Sequence, residues 1–544
     1  MKLSRISAFV TAIILTVTLC SCQPLERQTR YRDKEKEFII GQSYASQGHD
    51  RPYDVNDVNY DDMDKCAEKL LSDIQEKCSD DEINTDITDL IDIYNQIYEA
   101  NTYAEINSCK NDNDLDFQIK ENETYLELQA ADEIISYAFS CGYNSEYKEL
   151  FREYVNQSML DKYPENNLKI KDIRAKSKEV LDRDYKFVEK YNNILNDNSL
   201  EANDKDLKCA ELLIEKLKCH GADKLYSRFN RDYTGEDVVR VSNAVKEYLI
   251  PAYDELSLTY LTTFEHRNNK SYTIEKPFSV IQEYAPRISE QLGRSADILI
   301  KKNCFDISDS SDSIECYFTD ILPLEKSAAI FIGNPNNNTD LLSLAICTFG
   351  IFNRALINDT PPFLQKNNID IEESCELGLT PFFFRFYDDI YGDMGKYEQL
   401  SMEYNMLVSV ISGFLIGEFE YTVAKDVENI TPEQVVERFN KLFEDFDYTY
   451  RLSNINHLFV APGYYVSYGT SGLVAFDLYN DIYNLHDQQK AYEKYEKLSK
   501  ISGSSDYSTF CTALKGAGFS DIMSEDFIKH VADMVYKIDK EYNK

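Results

Sequence analysis

Apolar residues recur at helical spacing through most of this 544-residue chain. Ala67, Leu70, Leu71 and Ile74 share one face, as do Ile87, Leu90, Ile91 and Tyr94, because positions three and four apart stack on the same side of a helix. Comparable patterns predict helices over 123–141, 146–160, 168–197 and 205–219. Thr234, followed three residues later by Asp237, is a helix-start signal. Val238, Val241, Val245 and Leu249 then mark one face, which is expected to end at Pro251. Residues 315–322 and 328–334 read as strands, the second running into the turn-rich Asn334-Pro335-Asn336-Asn337-Asn338. Helices resume to the end, so the chain is expected to be mainly α, with one small β-sheet in its second half. Residues 22–60 are polar and aperiodic and predict a flexible tether.

Length changes this picture into a bilobal one, since one core does not usually support so many residues. An N-terminal helical lobe over 61–255 and a C-terminal lobe over 256–544 are expected. Hydrophobic content of 43% supplies the interior, while only 19 Gly and 13 Pro argue against tight-turn repeats or general disorder. The 95 acidic residues outnumber 58 basic ones, and a net charge of −37 disfavours nucleic acid or an anionic lipid surface as a partner.

At the N-terminus Lys2 and Arg5 precede an apolar run, Ile6 to Leu19, too short to span a bilayer comfortably. It ends in Leu19-Cys20-Ser21-Cys22, which resembles the lipobox of bacterial lipoproteins, where a small residue precedes a diacylated Cys that begins the mature chain. The resemblance implies a signal peptide over 1–21 and a lipid (palmitate) anchor on Cys22, at the extracytoplasmic face of a bacterial cell membrane. An ordinary signal peptide or an anchor helix is the alternative. The next most apolar run, Met406 to Ile416, is far shorter than the ~20 residues a span requires. Of 13 Cys, Cys20 and Cys22 belong to this segment; the others are scattered from Cys66 to Cys511 with no C-x-x-C pair. Buried free thiols are expected, with a Cys304–Cys316 disulfide across a hairpin as the alternative.

Several patches, in order, resemble the zinc oligopeptidases that include oligoendopeptidase F and thimet oligopeptidase. They are Asn230-Arg231-Asp232-Tyr233-Thr234-Gly235-Glu236-Asp237-Val238 with Val245 to Pro251; Ser327 to Asn334 with Asp340; Ile369-Asp370-Ile371-Glu372-Glu373 with Gly378-Leu379; and His457-Leu458-Phe459 through Pro462, Tyr464, Tyr465 and Tyr468. Ser502-Gly503-Ser504 with Ala517-Gly518-Phe519 resembles the family's closing pattern. The likeness spans roughly 200–530 and implies a large bilobal helical metallopeptidase fold with a small sheet beside its cleft.

Active members carry an H-E-F-G-H-like motif on a buried helix, because two His at i and i+4 grip one zinc while the Glu between them activates its water. This slot holds LSLAICTFGIFN, residues 342–353. Anchored on Phe349-Gly350, the first His position is Cys347, the Glu position Thr348 and the second His position Ile351; slid by one residue they are Ile346, Cys347 and Gly350. Neither register leaves a His or Glu, and no two of His49, His220, His266, His457, His486 and His530 lie four apart. The resemblance places Glu373 as the third ligand, but one carboxylate does not hold a catalytic zinc. No catalytic residue and no cofactor are therefore expected, the alternative being zinc in a site rebuilt from Cys347, Cys375 and Glu373. A nucleophilic Cys347 is disfavoured, since an apolar helix keeps a thiol protonated.

The resemblance also implies that His457, Tyr464, Tyr465 and Tyr468 hold substrate and that the strand 328–334 pairs along its edge with a peptide. Among 40 Tyr, ordinary packing is the alternative for this cluster. The expected function is that of a lipid-anchored pseudopeptidase binding an extended peptide or a protein partner. A still-active metallopeptidase or other hydrolase with a rearranged site is the alternative, as is a surface protein whose cleft has closed. Without a metal, buried Glu373 needs a cationic or hydrogen-bonding neighbour, or it stays protonated; Arg354, one turn beyond the second His position, is a candidate but is expected to point away.

Overall fold

A computed structural model describes residues 40, 41, 47, 48, 55 and most of 58–543, the longest breaks falling at 266–272, 334–340 and 502–508. Cys22, the segment before it, and the patches at 334–338 and 502–504 lie outside the described residues. The first helices are α1 (Asp61–Glu76), α2 (Asp80–Lys110) and α3 (Leu115–Tyr143). Ser79 and Glu82 close a capping box at the start of α2, satisfying amides that a helix end leaves unpaired. Met63, Ala67 and Leu70 of α1 join Ile87, Leu90 and Tyr94 of α2 and Leu128, Ile134 and Ile135 of α3 in a core that reaches Ile173 and recruits Phe363 and Leu364.

The helix expected over 146–160 is divided into Lys148–Phe151, a tight turn at Arg152–Tyr154, and Gln157–Lys162. Val155 is extended, and the Asn156 side chain accepts from the Met159 amide at 3.0 Å, so a polar cap starts a new helix there. After α4 (Ile170–Leu195) and α5 (Ala202–His220), α6 (Gly235–Ala244) opens at Thr234 and Asp237 in a second capping box. Pro251 does not end the helical run. A wide turn over Val245–Leu249, in which the Ile250 amide reaches back to the Val245 carbonyl, precedes it, and α7 (Ile250–Glu265) continues. A proline removes one helical donor and crowds the carbonyl four residues back, and a one-turn π segment absorbs that mismatch. Residue 255 lies within α7, whose Ala252 and Leu256 belong to a second, larger core running from Phe187 to Ile538.

Two short strands, β1 (Ile40–Gly41) and β2 (Gln47–Gly48), arise within the stretch expected to be a tether. Then come β3 (Thr273–Ile274), helix α8 (Glu290–Lys302), β4 (Phe305–Ser308), β5 (Cys316–Leu322) and β6 (Ser327–Gly333). β1 pairs with β3, and the second sheet has the order β2-β4-β6-β5. The two strands expected from sequence are thus present within a residue, but β6 is not an edge. It lies between β4, parallel to it, and β5, antiparallel to it. The open edge expected at 328–334 is therefore corrected: β5 is the outer strand. β4 is four residues long, too short for alternation to reveal it, and its pairing with β6 joins segments separated by a whole hairpin.

The remaining helices that matter for the site are α9 (Leu341–Ile357), α10 (Ile369–Leu377), α11 (Gly395–Asp426), α12 (Val466–Tyr479) and α13 (Glu525–Tyr542). The apolar run from Met406 to Ile416 is buried inside α11, in the larger core.

Candidate functional site

Helices α9 and α10 meet at Gly350, where a Cβ would lie 2.4 Å from the Cys375 carbonyl oxygen. Gly350→Ala forces the two helices apart and is expected to cost about 1–3 kcal/mol in thermal melting. Gly516→Ala, where a Cβ meets nothing within 4 Å, is the control and should be neutral or mildly stabilising. Around this crossing, the side chains of α9 have settled into the protein. Thr348 turns its hydroxyl back to the Leu344 and Ala345 carbonyls at 2.9 and 3.2 Å, and its own carbonyl accepts from Thr319 of β5 at 2.9 Å. Cys347 is buried and Ile351 half-buried.

Arg354 does not reach Glu373. It is fully buried, and its Nη1 donates to the Ser499 carbonyl at 2.9 Å. Cys375 faces the same way, its Sγ 3.6 Å from the Ser499 hydroxyl, so it does not converge with Glu373. A thiol on α9, a second thiol turned elsewhere and one carboxylate do not form the three-ligand set that a catalytic zinc needs. Among the described residues no three His, Cys, Asp or Glu side chains come together as metal ligands would.

Glu373 instead has a phenol. The Tyr464 hydroxyl donates to its Oε1 inside the core. Burial, reinforced by the charge of Glu376 one turn later, pushes the Glu373 carboxyl well above the usual carboxylate range. Burial and the charge of Glu372 push Glu376 up to about 8. The protonated form of a buried acid avoids the cost of an unpaired charge, which explains how two carboxyls sit together without a cation.

Tyr464 is delivered by Gly463, whose φ of +83° and Cβ position 2.4 Å from the Leu225 carbonyl oxygen exclude a side chain. The Gly463 amide donates to Glu420 at 2.7 Å. His457 then stacks on Tyr464 with ring centroids 4.9 Å apart and meets the edges of Tyr465 and Tyr468 at 5.8 Å each. The Tyr468 hydroxyl lies 3.4 Å from His457 Nε2. All four residues expected from sequence are thus brought together against Glu373.

Two contributors went unassigned at the sequence level. Tyr317 of β5 lies within electrostatic reach of this cluster: burial raises its phenol first, and the neighbouring charges of Glu376, Cys347, Tyr468 and Glu373 raise it further. It lies two residues before Thr319, whose bond to Thr348 shows which strand face meets α9, so alternation along β5 was the available signal. The other is the anchor of α10. Arg231 grips Asp370 with two bonds of 2.8 and 2.7 Å, Tyr233 adds a third at 2.7 Å, and Arg231 also donates to the Gly463 carbonyl at 2.6 Å. One guanidinium therefore ties the start of α10 to the turn that presents Tyr464.

No protein-family profile and no curated protein sequence matches the chain. Solved structures do. A protein described as oligoendopeptidase F superposes with a TM-score of 0.70 over 90% of this chain and 97% of its own, at 13% identity. The fold is that of the oligoendopeptidase F peptidases. Pz peptidase A, solved with an inhibitor, superposes at 0.69 with 13% identity over 91% of this chain and 98% of its own. An oligoendopeptidase F from Bacillus anthracis str. Ames gives 0.68 with 12% identity over 92% and 99%. At such identities the shared property is the oligoendopeptidase fold, and it extends over nearly the whole length of these peptidases.

Proposed function

We propose that this chain is a lipid-anchored protein of oligopeptidase fold that binds an extended peptide or protein segment without hydrolysing it. The observation that carries the reading is the exchange at Glu373: a phenol from Tyr464 holds the carboxyl, while the helix opposite offers Cys347 and Ile351 in place of the two His ligands and Thr348 in place of the water-activating Glu. His457, Tyr465 and Tyr468 adjoin that pair with ring faces, one imidazole and hydroxyl groups, a set able to hydrogen-bond a peptide backbone and pack its side chains. The outer strand β5 supplies a backbone against which an extended segment can align. Cys22 carries the anchor, and the mature chain is expected to begin there with an acyl mass addition visible by intact mass spectrometry.

The mature chain, incubated with zinc and desalted, is expected to retain less than about one zinc in ten molecules, below the stoichiometry of a closed zinc site. It should leave fluorogenic oligopeptides uncut while a peptide array identifies ligands. His457→Ala and Tyr468→Phe should each weaken binding to such a ligand about tenfold, the worth of one hydrogen bond or ring contact. Stoichiometric zinc together with peptide turnover would overturn the proposal.

A further inference from the structure

Cys109 lies in the last turn of α2 and Cys316 opens β5. Far apart in sequence, they are both buried in one small apolar core with Ile106, Phe318, Ala329 and Phe331. The backbone fixes this approach. The Ile314 amide donates to the Cys109 carbonyl at 3.0 Å, and the Ser313 hydroxyl donates to the same oxygen at 3.2 Å. Cys304, the alternative partner for Cys316 from sequence, instead faces the Ser327 hydroxyl at 3.3 Å. All three are present as free thiols.

We propose that Cys109 and Cys316 form a disulfide site that staples helix α2 to the outer strand of the sheet. The bond closes by two exchanges with an external disulfide such as oxidised glutathione. The thiolate of one cysteine attacks a donor sulfur and expels one donor thiolate. The second cysteine, losing its proton, attacks the protein sulfur of that mixed disulfide and expels the other. The protein gives up two protons and two electrons, and the donor leaves as two thiols. The neighbouring Cys316 thiol, together with burial, holds the Cys109 thiol well above its ordinary pKa, so the folded dithiol is a poor nucleophile and closure belongs mainly to folding. Once closed, the link constrains a very long loop in the unfolded chain. It also fixes the strand position next to Tyr317. The inference does not depend on peptide binding.

The test takes the full mature chain in two arms, native protein treated with oxidised glutathione, and protein unfolded and refolded in a glutathione redox buffer. After alkylation, digestion without reductant and mass spectrometry, a Cys109–Cys316 linked peptide is expected in the refolded arm and in lower yield in the native one. The linked protein should melt several degrees higher than the reduced one, and dithiothreitol should abolish the difference. Cys109→Ala/Cys316→Ala should melt like reduced wild type in both buffers, which separates loss of the link from loss of folding. Refolded protein with both cysteines alkylated, or Cys316 linked to Cys304, overturns the proposal.

Discussion

Glu403→Gln is expected to stabilise the protein by about 4 kcal/mol at pH 9 and to change little at pH 5. Glu403 lies on α11, fully buried, and accepts from Gln399 at 2.8 Å. Burial pushes its carboxyl from the ordinary 4.5 up to about 8, against hydrogen bonds from Gln399, Tyr479 and Tyr542 that favour the charged form. The folded chain therefore holds a proton here that the unfolded chain has released. This contribution to stability is complete below pH 4.5 and is lost as pH rises through 8, at about 1.4 kcal/mol per pH unit. Glutamine is the neutral isostere and removes the dependence while keeping an acceptor for Gln399. Urea unfolding of both proteins from pH 5 to pH 9 decides the matter, and parallel stability curves would refute it. Glu373 and Glu376 are displaced in the same direction, so the wild-type protein should lose stability above neutrality more steeply than Glu403 alone dictates.

Arg231→Met should be as damaging near neutral pH as the first change is helpful at high pH. Both Arg231 and Asp370 are buried almost completely, and removing the cation strands a carboxylate in the core, at a cost of about 3–5 kcal/mol. Because Asp370 begins the helix that presents Glu373, peptide binding should fall with stability. A double variant, Arg231→Met with Asp370→Leu, removes both charges and should recover part of the folding free energy but not the binding, since the bond to the Gly463 carbonyl is still lost. Arg231→Met within about 1 kcal/mol of wild type in urea unfolding would show that the pair does not anchor α10.

Much of the fold is legible in the order of residues alone, and the reason is local. Ala67, Leu70, Ile87 and Leu90 declare their helices because a 3.6-residue period needs only neighbours on the chain. Thr234 and Asp237 mark a helix start by bonding each other's amides across three residues. Legibility fails where a distant partner decides the outcome. Pro251 reads as a stop, yet a wide turn and the packing of both flanking helices carry the run through it. Asn156 divides a pattern that periodicity alone would have continued, here through a local cap rather than a distant partner. Residues 328–334 read as an edge because β4 is too short to be seen until it is paired.

The same division holds for the site. Sequence by itself determined that Cys347 and Ile351 stand where the resemblance requires zinc-binding His, and Thr348 where it requires the water-activating Glu, since residue identity needs no folding to be read. It also brought His457, Tyr464, Tyr465 and Tyr468 forward as a group. Only the tertiary structure decided what balances Glu373: a phenol from Tyr464, with Arg354 turned to Ser499. It alone brought Tyr317 within electrostatic reach of the cluster, made Arg231 the tie between α10 and Gly463, and put Cys109 in one apolar core with Cys316 while Cys304 faces Ser327. Protonation, ion pairing and thiol proximity depend on the low-dielectric neighbourhood each group enters, and that neighbourhood is assembled from segments remote along the chain.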